Sequence, residues 1–196
     1  MKKILLTLSM AAMCATTVSA QRANEKTKND CPRFYLGVST GLENPSGLLG
    51  VNVELPFDAV SIGSGVGLSS WGAKAYLEGR YYLNPCNRGL AFGLGASHST
   101  GLSDFVLKGA ETNIGKQDIT MDLNPVTNVY FSTYYYFNLG KSGRNRFHLQ
   151  GGYSARLTED IYTMKSAFYF NANGERAMKM LAPGGLILAL GFSFGL

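Results

Sequence analysis

The side chains best suited to chemistry recur at every second position of the segment 72–83. Lys74, Glu78 and Arg80 bring both signs of charge onto one face, because neighbouring residues of a β-strand point to opposite sides. Charges on a face shielded from bulk water must be paired or hydrated. We therefore predict a polar network that includes side chains from other segments. These are Glu54, Tyr134, His148 and Arg156.

Other kinds of chemistry find little support in the composition. The chain has 2 histidines and 3 cysteines without metal-ligand spacing, so we expect neither a metal nor another cofactor. The formal net charge is +5, with no basic cluster and no interleaved aromatic residues. Nucleic acid is therefore not an expected partner.

Eight segments alternate apolar residues with small or polar ones, which is typical of β-strands whose two faces meet different media. In the first, Leu36 and Val38 share one face, and Gly37 and Ser39 share the other. Most segments have about the 9–11 residues that a tilted strand needs to cross a membrane. The segments are 34–42, 48–55, 59–68, 72–83, 89–98, 126–139, 146–157 and 185–196.

The residues on the small or polar face of these strands indicate whether the two media are water and a protein core or a polar lumen and lipid. A soluble sheet would carry many charges on its water-exposed face, whereas Gly and Ser dominate here. This composition favours a barrel with lipid outside and a narrow polar lumen inside. We predict an all-β fold, an eight-stranded antiparallel up-and-down transmembrane β-barrel over residues 34–196. A soluble sandwich of two packed sheets is the alternative.

The connections between the segments differ in length. Those at 56–58, 84–88 and 140–145 are short and polar, whereas 99–123 and 158–183 are long. Short periplasmic turns and long external loops are typical of outer-membrane barrels. Loops also carry much of the binding specificity of proteins, so we expect an external protein partner to bind at the two long ones.

The loop 158–183 allows two interpretations. Its residues 171–174 (NANG) predict a hairpin turn, so the flanking strands would continue as a protruding sheet whose edge can add a partner strand. Alternatively, its aromatic residues pack as a rigid cap over the barrel mouth. Basic residues of the long loops are candidates for contact with anionic lipid phosphates. These are Lys108, Lys116, Lys165, Arg176 and Lys179.

The N-terminal residues fit a secretory signal. Two lysines precede a short apolar run at 4–13, and small residues at 18–20 suit cleavage. We predict a signal peptide over residues 1–20 and a periplasmic leader over 21–33. Cleavage before Cys14, as in a lipoprotein, is the alternative.

From residue 34 to 196 the chain resembles the small eight-stranded outer-membrane barrels of the OmpA and OmpX kind. The resemblance rests on the strands, the loop lengths and the outward Phe192 and Phe194 of the last segment. Such barrels commonly end on an aromatic residue that the insertion machinery reads, whereas the last residue here is Leu196. The resemblance implies a porin-like monomer in the bacterial outer membrane. Its expected partners are outer-membrane lipid, lipopolysaccharide and the barrel-insertion machinery.

The size of the barrel bears on its function. Eight strands enclose a space just wide enough for side chains, so we expect the polar network to fill the lumen. The predicted function is a structural or surface-interaction role, adhesin-like, through the external loops, without enzymatic activity. A narrow, low-conductance pore for small solutes is the alternative, with an Arg–Glu network as its gate.

A third candidate function is acyl-ester hydrolysis. Lipid A 3-O-deacylases are also eight-stranded barrels, and they use an outward His-x-Ser pair with a Glu further along the chain. The spacing of His98, Thr100 and Glu111 resembles that pattern. However, Thr100 stands at the nucleophile position and Ser99 faces inward. The serine that serves as nucleophile beside the histidine in these enzymes is therefore missing from its position.

Cys31 and Cys86 are both expected on the periplasmic side of the barrel. Because the periplasm is oxidising, we hypothesise a disulfide that ties the leader across the opening. Two free thiols, or a pairing between molecules, are the alternatives.

Aromatic residues are expected to mark the membrane boundaries. Trp71 is predicted at the external boundary. The predicted periplasmic set is Tyr81, Phe137, Phe147, Phe192 and Phe194.

Overall fold

The computed structural model describes residues 31–84, 88–140, 144–167 and 169–196. The predicted signal peptide, most of the predicted leader and Cys86 lie outside these residues. Every element named below belongs to the unit Pro32–Leu196. Within the described ranges, no helix has the length and apolar character needed to cross a membrane.

Most of the described residues form strands, with one helix between the last two strands. In chain order the elements are β1 (Tyr35–Leu42), β2 (Leu49–Phe57), β3 (Val60–Ser69), β4 (Gly72–Asn84), β5 (Arg88–Ser99), β6 (Leu102–Thr112), β7 (Gly115–Leu123), β8 (Val126–Leu139), β9 (Asn145–Arg156), β10 (Tyr162–Met164), α1 (Ala172–Leu181) and β11 (Gly185–Gly195). Eight of the strands form a closed barrel in the order β1-β11-β9-β8-β5-β4-β3-β2, and the other three form a sheet in the order β10-β7-β6.

The barrel is antiparallel throughout, and each of its strands pairs with the barrel strands before and after it in the chain. β1 and β11 close the ring, from Tyr35 opposite Gly195 to Leu42 opposite Leu188. The eight predicted segments agree with the observed strands to within 2 residues at each end. The predicted closed eight-stranded antiparallel barrel is therefore confirmed.

The strand register determines how steeply the strands tilt. Starting at Tyr136 on β8, the paired residues lead once round the barrel through His148, Gly191, Ser39, Gly50, Gly67, Lys74 and Ser99 to Val126. Val126 lies on the same strand, 10 residues from the start. With about 3.3 Å per residue and about 4.8 Å between strands, this offset gives a tilt of about 41° and a backbone radius of about 8 Å.

Alternation along each strand decides which side chains face the lumen. In β4, Lys74 and Glu78 point inward and are buried, whereas Ala75 and Leu77 point outward and are exposed. The same pattern places large apolar side chains on the outer surface of every barrel strand. We call this surface the apolar belt, which includes Leu36, Val38, Val51, Val53, Ile62, Val66, Leu77, Leu94, Phe131, Leu149, Leu186 and Leu188.

The sheet β10-β7-β6 and α1 form a second layer at one mouth of the barrel, which we call the cap. Its core is apolar and includes residues from the rim of the barrel. The buried members are Trp71, Ala110, Ile119, Met121, Leu123, Val126, Ile161, Met178 and Ala182. Because Trp71 and Val126 belong to the β3–β4 turn and to β8, the cap and the barrel share one core.

The predicted hairpin turn at 171–174 is wrong, because these residues begin α1. The side-chain oxygen of Asn171 accepts hydrogen bonds from the backbone N–H groups of Asn173 at 3.0 Å and Gly174 at 2.9 Å. Asparagine favours turns and helix N-caps for the same reason, since its short side chain bonds to nearby backbone. Because α1 contributes Met178 to the apolar core of the cap, residues 158–183 follow the second interpretation, a cap over the barrel mouth.

The outer edge of the cap sheet is irregular. Along β6 the pairing with β7 shifts at two places, next to Asp104 and next to Gly109, whose φ angles are 54° and 65°. Bulges of this kind twist an edge and interrupt its row of backbone groups. The edge of β6 is therefore poorly suited to strand addition.

Candidate functional site

Glu54 joins three strands near the end of the barrel where β1 begins and β11 ends, which we call the terminal end. Its carboxylate accepts hydrogen bonds from Arg80 Nη1 at 2.7 Å, from the Tyr82 hydroxyl at 2.5 Å and from Arg146 Nη2. Glu54 lies on β2, Arg80 and Tyr82 on β4, and Arg146 on β9. One buried carboxylate thus links strands from different sides of the lumen.

Glu78 forms the second junction of the network. Its carboxylate accepts hydrogen bonds from Arg80 Nε at 3.1 Å, and from the hydroxyls of Tyr130 at 2.9 Å and Tyr134 at 2.8 Å. Arg80 therefore lies between the two carboxylates and binds both.

Both arginines also lie against tyrosine rings. The Cζ atom of Arg80 is 4.5 Å from the ring centre of Tyr134. The Cζ atom of Arg146 is 3.5 Å from the ring centre of Tyr35 and 4.3 Å from that of Tyr136. A guanidinium can stack on aromatic faces while its edge donates hydrogen bonds, so these tyrosines hold the arginines in place on their carboxylates.

The network of Glu54, Glu78, Arg80 and Arg146 balances its charges, with two carboxylates and two guanidiniums, all buried. Removing an ion from water costs several kcal/mol even after relaxation, on the order of 20 kcal/mol in the idealised limit. Pairing, tyrosine hydroxyls and ring stacking offset that cost here. A balanced, fully paired network leaves little free charge to attract a solute ion.

Glycines facing the lumen make room for these large side chains. A Cβ atom on Gly95 would lie 2.7 Å from the Tyr130 hydroxyl, and one on Gly93 would collide with the Glu78 carboxylate. The space left between Ser39, Asn52, His148, Gln150 and their neighbours is a cavity of about 10 Å³. That volume accommodates roughly one water molecule.

The connection between β1 and β2 closes the lumen at the cap end. Asn44 and Ser46 are buried there, and Asn44 Nδ2 donates to the Gly47 carbonyl at 2.8 Å. The hydroxyls of Ser39 and Ser46 lie 2.8 Å apart. The connection thus folds into the barrel mouth and caps the filled lumen.

Glu43 joins this connection to the cap. Its Oε2 atom accepts a hydrogen bond from Lys74 Nζ at 3.3 Å and another from the backbone N–H of Gly184 at 3.0 Å. Gly184 lies between α1 and β11, so one carboxylate connects the β1–β2 connection, the barrel wall and the cap.

The structure brings together most of the residues predicted for the lumen network, but not all of them. Glu54, Glu78, Arg80 and Tyr134 are joined by direct hydrogen bonds, and the His148 ring packs edge-on against Tyr134, with 5.8 Å between ring centres. Two predicted members lie elsewhere. Lys74 pairs with Glu43, and Arg156 donates from Nη2 to the Lys179 carbonyl at 3.3 Å.

Arg146 is a member of the network that the sequence analysis did not name. It is almost completely buried and binds the same carboxylate as Arg80. The signal for it was present, because Arg146 and His148 lie on the same face of a strand. Arg146 is the first residue of the predicted segment 146–157, but only the later residues His148 and Arg156 of that segment were assigned to the network.

The residues considered for ester hydrolysis lie apart. His98 is exposed on the outer surface, and its Nδ1 atom lies 3.0 Å from the Thr127 hydroxyl. The Thr100 hydroxyl donates to the Gly101 carbonyl at 3.3 Å and accepts from the Ala73 backbone N–H at 3.1 Å. Glu111 is opposite Lys116 near the far end of the cap hairpin. The hydroxyl within hydrogen-bond distance of His98 is therefore that of Thr127, and the contacts of Thr100 and Glu111 do not bring them together with His98.

The aromatic residues predicted at the periplasmic boundary face outward near the terminal end of the barrel. Phe137, Phe147 and Phe192 are neighbours on three adjacent strands. Tyr81 and Phe194 also lie on the outer face.

Trp71 was predicted at the external membrane boundary, but it does not lie on the outer surface. Its side chain is only 3% exposed, within the cap core, and its indole N–H donates to the Asn124 carbonyl at 2.9 Å. The long loops bury it.

Cys31 is disulfide-bonded. The sequence contains two other cysteines, Cys14 and Cys86, and both lie outside the described residues. The pairing of Cys31 with Cys86 stays a prediction.

The water-facing surface of the cap carries its own ion pairs. Lys165 Nζ lies 2.7 Å from Asp104 Oδ1 and 2.8 Å from Asp122 Oδ1. The hydrogen bond from Lys165 lowers the pKa of Asp122, and a hydrogen bond from the Asp104 backbone N–H lowers it further. The carboxylates of Asp104 and Asp122 in turn raise the pKa of Lys165. These exposed pairs tie β10's end to the sheet.

Comparison with known proteins finds no matching family model, no matching curated protein and no matching solved structure. Among the described residues, no group of three or more His, Cys, Asp or Glu side chains could hold a metal ion. The function must therefore be inferred from the barrel surface, the lumen and the cap.

Proposed function

We propose that this chain is an outer-membrane β-barrel of the OmpA and OmpX kind, which anchors the cap at the cell surface. In this proposal the lumen is a solid core and the cap is the surface that meets other molecules. The observation that carries the proposal is the apolar belt, because a barrel in water would not expose large apolar side chains on every strand.

The height of the belt supports a membrane location. On β11 and the residue after it, Leu186, Leu188, Leu190, Phe192, Phe194 and Leu196 follow one another on the outer face. At a tilt of about 41° each residue advances about 2.5 Å along the barrel axis, so these residues cover about 25 Å. That is the height of the apolar band on outer-membrane barrels.

The filling of the lumen supports a structural role over a pore. The balanced network occupies the terminal half of the barrel, and the β1–β2 connection occupies the cap end. The cavity between them has a volume of about 10 Å³, which accommodates roughly one water molecule. Conduction would require the network to come apart.

The cap supports a role at the cell surface. Its apolar core and its helix give the long loops a defined shape, and its outer face carries ion pairs. Because the cap shares Trp71 and Val126 with the barrel rim, it is held in a fixed position on the barrel.

Cell fractionation combined with gel migration tests the proposal. We expect the full-length protein in the outer-membrane fraction, with different migration in unheated and heated samples because a closed barrel resists detergent. Protease added to whole cells should cut within the cap and leave the barrel. A soluble protein without a heat-dependent shift would contradict the membrane assignment, and a cap protected on intact cells would contradict its surface role.

A further inference from the structure

The cap exposes large apolar side chains at two places. Ile114 and Tyr169 lie at its far end, where the backbone N–H of Asn113 donates to the Tyr169 carbonyl at 3.2 Å. Met180 and Leu181 lie in the last turn of α1 and are 84% and 59% exposed. The two places lie at different distances from the barrel and its apolar belt.

The last turn of α1 lies directly over the barrel rim. The Arg156 guanidinium, at the end of β9, donates to the Lys179 carbonyl at 3.3 Å. On the inner side of the turn, Met178 and Ala182 pack in the core that contains the rim residue Trp71. The turn is therefore within one arginine side chain of the end of β9.

The belt reaches this same part of the rim. Leu157, the residue after β9, is exposed, as is Leu186 near the start of β11. Only residues 182–184 separate α1 from β11. Beyond the hydrocarbon core a bilayer has a headgroup layer about 5–8 Å thick on each side. If the belt lies in the hydrocarbon core, the last turn of α1, which contacts Arg156 at the end of β9, adjoins that layer.

The exposed side of this turn has the composition of an interfacial helix. Arg176 and Met180 are 4 residues apart on one face, opposite the buried Met178, and Leu181 flanks them. No ion pair within the described residues involves Arg156 or Arg176. Guanidinium groups bind phosphate well, and apolar side chains beside them suit the region between headgroups.

We infer that the last turn of α1 docks on the lipid surface that surrounds the barrel. Arg156 and Arg176 bind lipid phosphate, and Met180 and Leu181 lie among the headgroups. This inference rests on the proposed membrane location and adds the lipid surface as a partner of the cap. The docked turn fixes the cap relative to the membrane as well as to the barrel.

Tryptophan fluorescence in vesicles of phosphatidylcholine and phosphatidylglycerol tests the inference. Three single variants of the full chain are compared, with a quencher on the lipid headgroups or high on the acyl chains. Leu186→Trp reports on the belt, Met180→Trp on the last turn of α1, and Ile114→Trp on the far end of the cap. Trp71 is buried and gives the same background in each.

We expect the headgroup quencher to remove about half of the added emission of Met180→Trp and almost none from Ile114→Trp. The acyl-chain quencher should reduce that of Leu186→Trp. Adding Arg176→Gln to Met180→Trp should weaken the quenching in anionic vesicles. If Met180→Trp behaves like Ile114→Trp while Leu186→Trp is quenched, the inference is overturned and the membrane barrel stands. If Leu186→Trp is also unaffected, the proposed function itself fails.

Discussion

In the lumen the fully buried side chains include Glu78 and Arg146, whereas in the cap they include Ile119, Met121 and Met178. Outside, the order is reversed, with an apolar belt on the barrel and ion pairs on the cap. The barrel thus buries charged and polar side chains and exposes apolar ones, whereas the cap buries apolar side chains and exposes charged ones. If the barrel lies in lipid and the cap in water, each region places toward its surroundings the side chains that those surroundings solvate.

The two regions are also stabilised differently. The lumen depends on specific pairs, so the loss of one partner leaves another charge buried without compensation. The cap depends on packing, so the loss of a side chain leaves a cavity whose cost varies with how far its surroundings relax. The two kinds of core should therefore respond differently to substitution.

The largest effect is expected from Glu54→Ala in the lumen. Arg146 and Arg80 would lose their shared carboxylate, and the barrel should lose about 3–5 kcal/mol of unfolding free energy. Urea unfolding in lipid vesicles, followed by the gel shift, measures the change. The control is Glu175→Ala, which removes an exposed partner of Lys179 and should alter the midpoint little. Equal effects of the two variants would mean that the lumen pairs do not stabilise the barrel.

A smaller and local effect is expected from Met178→Ala in the cap. The cavity should cost about 2–3 kcal/mol, concentrated in the cap because Met178 packs in the cap core. Trypsin should then cut α1 faster while the heat-dependent gel shift of the barrel stays unchanged. Met180→Ala, on the same helix but exposed, is the matched control in detergent and should not change the rate. Loss of the gel shift in Met178→Ala would show that the cap and barrel unfold together.

The smallest effect is expected from Lys165→Met on the cap surface. Since Lys165 lowers the pKa of Asp122, that carboxylate stabilises the cap above its ordinary pKa, and the contribution is lost as pH falls through the lowered value. The variant should raise the Asp122 pKa and reduce this pH dependence, an effect that salt also weakens. Carboxyl NMR titration measures both pKa values. An unchanged Asp122 titration would show that the ion pair is not formed in solution.

The barrel strands were predictable because each follows a period of two with turn residues between them. For residues 158–183 the sequence allowed a cap as one of two interpretations. It did not predict the strands and helix of the cap, because residues 99–123 and 158–183 pack on one another and on Trp71. The same long-range packing explains why Trp71 is buried and why NANG starts a helix.

Within the site, the alternation of side chains along each strand predicted that Glu54, Glu78, Arg80 and Tyr134 all face the lumen. Depth was harder to predict, because the register shifts by 10 residues round the barrel, as the pairing of Tyr136 through to Val126 shows. Lys74 and Arg156 are therefore too near the cap end to reach the network. The inward fold of the β1–β2 connection has no signal in the local sequence.

Conductance in planar lipid bilayers measures whether the lumen is a closed, charge-balanced core. The folded wild-type protein should insert without steady current steps, and the Glu54→Ala, Arg80→Ala double variant should produce small ones. The Glu175→Ala, Lys179→Ala double variant, which removes an exposed pair from the cap, should behave as wild type. Steady current steps from the wild-type protein would contradict the account and identify the lumen as a pore.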